Sequence, residues 1–351
     1  MKKIAILTSG GDAPGMNAVL RGVVKLGARR GVQVYGVQRG FEGLIEGDMS
    51  PMYPKDVDVI GGYGGSELGC RRSQAFMTPE GRAAAIRNLD GFEGLIVVGG
   101  NGSMKGATVL GKESGIPVIG VPASIDNDIG CTSAAIGVDT ALNTIVEACD
   151  RISDTARSHR RVFVLEVMGR DCGYLAQAGA VATGADAVLF REQGSTREEM
   201  MDQLGNIIDE GFSEARDKKQ ILILKAEGVT IPTNDLTSEL QERIERTHPE
   251  VTVRSVVLGY LVRGGTPSYR DRMIGGRFGV AALEALLAGK TCRMVAWRPF
   301  AGVGEKTVDP TVRLVPLDEV LVETARLLDG SSAVTMRRVT MMEGYAGVLA
   351  V

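Results

Sequence analysis

An open α/β architecture is predicted by three features of this 351-residue chain: short apolar runs alternate with longer helical patterns, glycines gather where the runs end, and several of those ends lead straight into a helix. Such alternation implies parallel sheets covered by helices on both faces. The 47 glycines include clusters at 61–65, 99–102 and 264–265, where a tight turn or a close backbone approach to a ligand favours a residue without Cβ. For most of the 47, turn formation is reason enough.

Strands are expected at 3–8, 33–37, 94–98, 117–121, 162–166, 187–190, 220–224 and 293–297. The first breaks into Thr8-Ser9-Gly10-Gly11-Asp12-Ala13-Pro14-Gly15-Met16-Asn17 before a helix from Ala18, and glycine N–H groups at a helix start suit an anion. The strand at 94–98 ends in Gly99-Gly100-Asn101-Gly102-Ser103, again before a helix. After the next run come Ser124-Ile125-Asp126-Asn127-Asp128, with two carboxylates two residues apart. Such a pair can divide labour, one taking a hydroxyl proton and the other facing a metal-bound phosphate; standing alone it reads first as a turn or cap. Residues 138–159 form one long helix striped by Ala141, Leu142, Ile145, Val146, Cys149 and Ile152. The strand at 162–166 leads into Val167-Met168-Gly169-Arg170-Asp171-Cys172-Gly173. Residues 213–219 are a solvated turn, 230–238 a loop entering a helix, 317–328 an amphipathic helix, and 334–351 a mixed apolar segment packing on the body or a partner.

The formal charge of -3 leaves no polybasic footprint, so neither nucleic acid nor a membrane surface is an expected partner. Hydrophobic residues make up 44%, yet no apolar run is long enough to span a bilayer. The sequence opens on a strand without a signal-peptide pattern, and its five cysteines lack CxxC spacing, so free thiols in a reducing cytoplasm are expected. With two histidines a His-rich metal site is excluded: His159 complements a helix end and His248 is expected to be exposed. Trp297 and Tyr174 read as core or interface residues. Gly10 to Gly15 has the wrong spacing for a dinucleotide fingerprint, which disfavours a dehydrogenase.

Five segments in one order, SGGDAPGMN at 9–17, GGNGS at 99–103, SIDND at 124–128, MGRDCG at 168–173 and LGYLVRGGTP at 258–267, together resemble the bacterial 6-phosphofructokinase family. The resemblance implies a phosphofructokinase-like fold, two facing α/β domains with mainly parallel sheets. Residues 1–138 with 252–311 would form the larger, nucleotide-binding domain, 139–251 the smaller, sugar-phosphate-binding domain, and 312–351 a helix and tail packing on the body. It also implies magnesium-dependent transfer of a phosphoryl group from ATP to the 1-hydroxyl of fructose 6-phosphate, in glycolysis. The expected assembly is a homotetramer, with a dimer as alternative, sharing sites between subunits.

Carried over residue by residue, the resemblance makes Asp126 the general base and Ser124 a donor to the moving phosphoryl oxygens, with Ile125 beside them in the substrate set. Asp128 orients Asp126 or the magnesium ion; the two roles are not separable from sequence. Arg170, with the backbone of Met168 and Gly169, crosses the sugar and neutralises phosphoryl charge, and Glu227 accepts from sugar hydroxyls. Arg161, Arg254 and Arg263 form a cradle for the 6-phosphate, a task suited to forked, permanently charged guanidinium groups. Gly11, Arg72, Ser73, Gly100, Asn101, Gly102 and Ser103 take the nucleotide, with Gly11 also in the catalytic set and Arg71 the competing register for Arg72.

Gly102 and Ala123 stand where the family's pyrophosphate branch carries aspartate and lysine, and both point to ATP. Two departures matter. Asn101 replaces a metal-facing aspartate by a weaker neutral ligand, and Tyr260 replaces a histidine at the 6-phosphate. A pyrophosphate donor, a related ketose phosphate such as sedoheptulose 7-phosphate, and a non-catalytic sugar-phosphate sensor are the alternatives. NAD kinases and diacylglycerol kinases also use GGxG loops but have no need of the arginine cradle. Arg21 and Lys25 share a helix face that family members use for effectors, while the matching cation of the long helix is replaced by Ser153; two such cations read first as a solvated face.

Overall fold

The computed structural model describes residues 2–299 and 303–349, and the side chains of the last helix as far as Tyr345. The end of the 334–351 segment therefore lies outside the described residues. The chain runs through β1 (Lys2–Ser9), α1 (Met16–Arg30), β2 (Val32–Val37), α2 (Phe41–Glu46), β3 (Met49–Met52), α3 (Pro79–Asn88), β4 (Leu95–Gly99), α4 (Asn101–Ser114) and β5 (Val118–Pro122). It continues with α5 (Val138–His159), β6 (Arg161–Val167), α6 (Tyr174–Thr183), β7 (Ala187–Leu189), α7 (Arg197–Gly211), β8 (Ile221–Ala226), α8 (Thr233–Ile244) and β9 (Thr252–Val257). Last come α9 (Tyr269–Leu287), β10 (Arg293–Trp297), β11 (Glu305–Lys306), β12 (Val312–Pro316), α10 (Leu317–Asp329) and α11 (Ala333–Leu349).

Two compact units result: residues 1–140 with 263–326, and residues 141–262 with 327–351. Unit one holds an eight-stranded sheet in the order β11-β12-β10-β5-β4-β1-β2-β3, parallel from β10 to β2 with antiparallel strands at the edges. Its middle strands are covered on both faces, so they read as unbroken apolar runs: Ile4, Ile6, Leu7, Leu95, Ile96 and Val97 are fully buried. Each such side chain contributes about 1.5–3 kcal/mol. α1 crosses α9 closely enough that a Cβ on Gly22 would lie 2.8 Å from the Gly276 carbonyl oxygen, and one on Gly279 would lie 2.6 Å from that of Val19. These glycines serve helix packing, a use that strand-end clustering does not reveal.

Unit two holds a four-stranded, wholly parallel sheet in the order β7-β8-β6-β9. The sequence reading put 252–257 in the first domain; β9 instead pairs with β6, Phe163 opposite Arg254. Half of β9 faces outward, so it lacks the apolar run that marked the other strands. Residues 312–351, expected as a helix and tail packing on the body, begin with a strand instead: β12 pairs antiparallel with β10, and residues from 327 onward belong to unit two. The short edge strands β3 and β11 are largely outward-facing and escaped the sequence pattern in the same way.

His248, expected in solvent, is mostly covered: it packs on Phe212 at 5.8 Å between ring centroids, with Nε2 3.1 Å from Asp209 Oδ1. Trp297 is buried edge-on against Phe278. All five cysteines are free thiols, and burial pushes those of Cys131 and Cys149 up to about 11. Among the described residues no helix is long and apolar enough to cross a membrane.

Candidate active-site residues

In unit one, β1, β4 and β5 lie side by side and in register, Ser9 opposite Gly99 and Gly99 opposite Pro122. The loops that follow them therefore leave the sheet at one level of its carboxyl edge, where α/β proteins bind ligands. The Ala123 N–H donates to the Gly99 carbonyl at 3.0 Å, and Ser103 Oγ donates to that of Ser9 at 3.1 Å. Ser103 is buried, so its hydroxyl serves the fold, while Gly100 and Gly102 at the start of α4 stay accessible to a ligand. A Cβ added at Gly102 meets no heavy atom within 4 Å.

Asp128 organises the paired-carboxylate loop. Its Oδ2 accepts from Asn101 Nδ2 at 2.6 Å and its Oδ1 from Ser124 Oγ at 3.1 Å, while Ser124 Oγ accepts from the Asp126 N–H at 3.3 Å. The two motifs are thus one network, and Asp126, 5% exposed, sits inside it. Donating to Asp128 fixes the Asn101 amide, leaving Asn101 Oδ1 buried without a hydrogen-bond partner among the described residues. Ile125 is fully buried, so it can offer a substrate only its backbone. Asn127 has φ 51°, which asparagine tolerates, and its amide binds Ser133 and Ala135, pinning the neighbouring turn.

The glycine-rich loop before Arg72 is anchored by Asn17, which donates to the Tyr63 carbonyl at 3.1 Å and accepts from the Glu67 N–H at 2.8 Å. Arg71 and Arg72 are both exposed, and Ser73 Oγ accepts from the Phe76 N–H. Arg263 was grouped on sequence with Arg161 and Arg254. It lies instead in unit one, donating to the Asp12 carbonyl, and a Cβ on Gly11 would come within 2.8 Å of its Nη1. Lys25 is paired with Asp58, and Arg21, Lys25, Arg29, Arg272 and Arg277 line a depression of about 780 Å³.

In unit two the register sets Arg161 opposite Thr252 and Phe163 opposite Arg254, so Arg161 and Arg254 fall on one face of the sheet. Tyr260 is 81% exposed. After β6 the chain turns sharply: Gly169 has φ 146° and Arg170 φ 53°, and the Cys172 N–H donates to the Gly169 carbonyl. Glu227, just beyond β8, accepts from the N–H groups of Gly169 (3.2 Å) and Arg170 (2.6 Å). Both bonds go to Glu227 Oε1, which anchors the Glu227 carboxylate to the loop.

Sequence reasoning missed Lys225 and Glu166. Lys225, 1% exposed, lies 3.0 Å from Glu166 Oε2, which also accepts from Thr233 Oγ1. This pair, with Lys225 buried and Glu166 partly covered, ties together the ends of β6 and β8, the strands that lead into Met168, Arg170 and Glu227. Asp271 was also missed: it is buried, accepts from Gly137 and Thr140, and burial pushes its carboxyl up. A charged residue inside an apolar strand, such as Lys225 in Ile-Leu-Ile-Leu-Lys-Ala, was the available signal.

Loops at the carboxyl edges of parallel strands, carrying bound carboxylates and outward arginines, define an α/β protein suited to anionic ligands. The sequence model of the family described as Phosphofructokinase matches residues 3–286. The chain is 46% identical over 302 residues to an ATP-dependent 6-phosphofructokinase of Natranaerobius thermophilus, covering 86% of this chain and 91% of the relative. It is 43% identical over 330 residues to one of Thermotoga neapolitana, covering 93% and 100%. Among solved structures, the phosphofructokinase of Saccharomyces cerevisiae matches with a TM-score of 0.85 at 32% identity over 99% of this chain, which spans 48% of that protein. The chain belongs to the phosphofructokinase family.

Proposed function

We propose that this chain transfers the terminal phosphoryl group of ATP to the 1-hydroxyl of fructose 6-phosphate, giving fructose 1,6-bisphosphate and ADP in glycolysis. The observation that carries the reading is the single network of Asn101, Ser124, Asp126 and Asp128 beside an unobstructed Gly102. Asp126 accepts the hydroxyl proton as that oxygen forms its bond to phosphorus. The bond from phosphorus to the oxygen bridging to ADP breaks, and ADP leaves. Ser124 is positioned by Asp128 to donate to a phosphoryl oxygen, and the N–H groups at the start of α4 face the donor phosphates.

Magnesium fits here as an ion held mainly by substrate phosphates. The orphaned Asn101 Oδ1 and the Asp128 carboxylate supply two hard oxygens, few enough to match an ion that keeps most of its waters. When bound it would neutralise phosphate charge. Glu227 and Arg170 would hold the sugar, and Arg161 and Arg254 would reach its 6-phosphate in a neighbouring subunit. Support for a homo-oligomer comes from the outer strand β9 and the residues after it, where Val257, Tyr260 and Leu261 are 56%, 81% and 68% exposed. A cytoplasmic location follows from the same glycolytic role.

The test is a coupled assay with fructose 6-phosphate and magnesium, run in parallel with ATP and pyrophosphate. Turnover with ATP alone is expected. Turnover with pyrophosphate alone would overturn the donor assignment, and silence with both would overturn the reaction.

A further inference from the structure

The turn that carries Arg170 is strained. A non-glycine residue with φ 53° is disfavoured and persists only where its surroundings over-determine it. Glu227 binds two of the turn's N–H groups, and a Cβ on Gly228 would lie 2.1 Å from the Arg170 carbonyl oxygen. The turn is also tied to the end of the chain. Arg191 donates to Asp171 Oδ1 and to the Leu328 carbonyl, each at 2.6 Å. Arg338, on α11, stacks its guanidinium carbon 4.5 Å from the Tyr174 ring centroid and donates to Cys172 Sγ at 3.6 Å. α11 is itself docked, with Thr335 and Met342 only 4% exposed. It lies beyond residue 286, where the family match ends.

We infer that the C-terminal segment is a clasp on the acceptor loop, with Arg338 and Arg191 as positioning residues that hold Arg170 ready for the sugar phosphate. The inference rests on the reading of residues 168–173 as the acceptor loop. A guanidinium sandwiched against a ring has a defined geometry, so it can fix a turn that the backbone alone disfavours. It acts through Tyr174 and Cys172 and touches no reacting atom.

Steady-state kinetics on Arg338→Gln, Arg338→Lys, Tyr174→Leu and the Arg338→Gln/Tyr174→Leu pair test it, with Arg170→Ala as reference. Arg338→Gln is expected to raise the KM for fructose 6-phosphate about tenfold while leaving that for ATP within about twofold. Arg338→Lys should recover part of the loss, and the double variant should be no worse than either single one, because both remove the same stack. An unchanged KM for fructose 6-phosphate in Arg338→Gln, or equal rises in both KM values, would overturn the clasp. If Arg170→Ala itself binds fructose 6-phosphate normally, the acceptor-loop reading fails instead.

Discussion

The paired-carboxylate loop of unit one and the 168–173 turn of unit two solve the same problem differently. In unit one the left-handed position is Asn127, which tolerates φ 51° and whose own amide secures the turn. The remaining side chains, Asn101, Ser124 and Asp128, bind one another. In unit two the left-handed position is Arg170, whose side chain the proposed function gives to the ligand, and Glu227, Arg191 and Arg338 supply the restraint from outside. A loop that contributes chemistry from small polar groups can lock itself. One that must extend a long cation has to be held.

The largest effect separating the two regions is expected from Asp126→Asn: a fall in kcat of about a thousandfold with KM for fructose 6-phosphate nearly unchanged. Normal turnover would remove Asp126 from the mechanism. Glu227→Gln weakens two charge-assisted bonds to the 168–173 turn and should raise KM for fructose 6-phosphate about thirtyfold, sparing ATP. If KM for ATP rises instead, the assignment of this loop is wrong. Gly102→Asp has room in the fold, so the melting temperature should hold while KM for ATP rises about tenfold through repulsion of the phosphates. Equal ATP affinity before and after would refute the donor argument.

The smallest effect concerns stability in unit one. Arg277, and after it Thr311, hydrogen-bond the Asp309 carboxylate and hold its pKa well below the usual carboxylate range. The folded pKa is depressed, so this stabilisation is complete above about pH 4 and is lost as pH falls further. Thermal unfolding of wild type and Asp309→Asn should therefore converge on acidification. A gap that stays constant between about pH 5 and 2 would show that the carboxylate charge is not what stabilises the loop.

Much of unit one was legible because strands buried on both faces print themselves as apolar runs, and glycine-rich ends mark where they stop. The predicted long helix matches Val138–His159. β9 was invisible as a strand because half of it faces outward, and the domain boundary was misplaced with it. The motif residues were found by type and spacing, but the structural work of Asn17 and the inward turn of Ser103 depend on partners 46 and 94 residues away.

The sequence by itself determined the α/β class, the order of the ligand loops and the chemical types placed on them, because hydrophobic periodicity and glycine placement are local properties. Only the tertiary structure decided that Asp128 joins two motifs, that Lys225 is buried against Glu166, that Arg263 lies on Gly11, and that Arg338 reaches the 168–173 turn. Those contacts follow from strand order and register, which bring together residues that the chain itself keeps far apart.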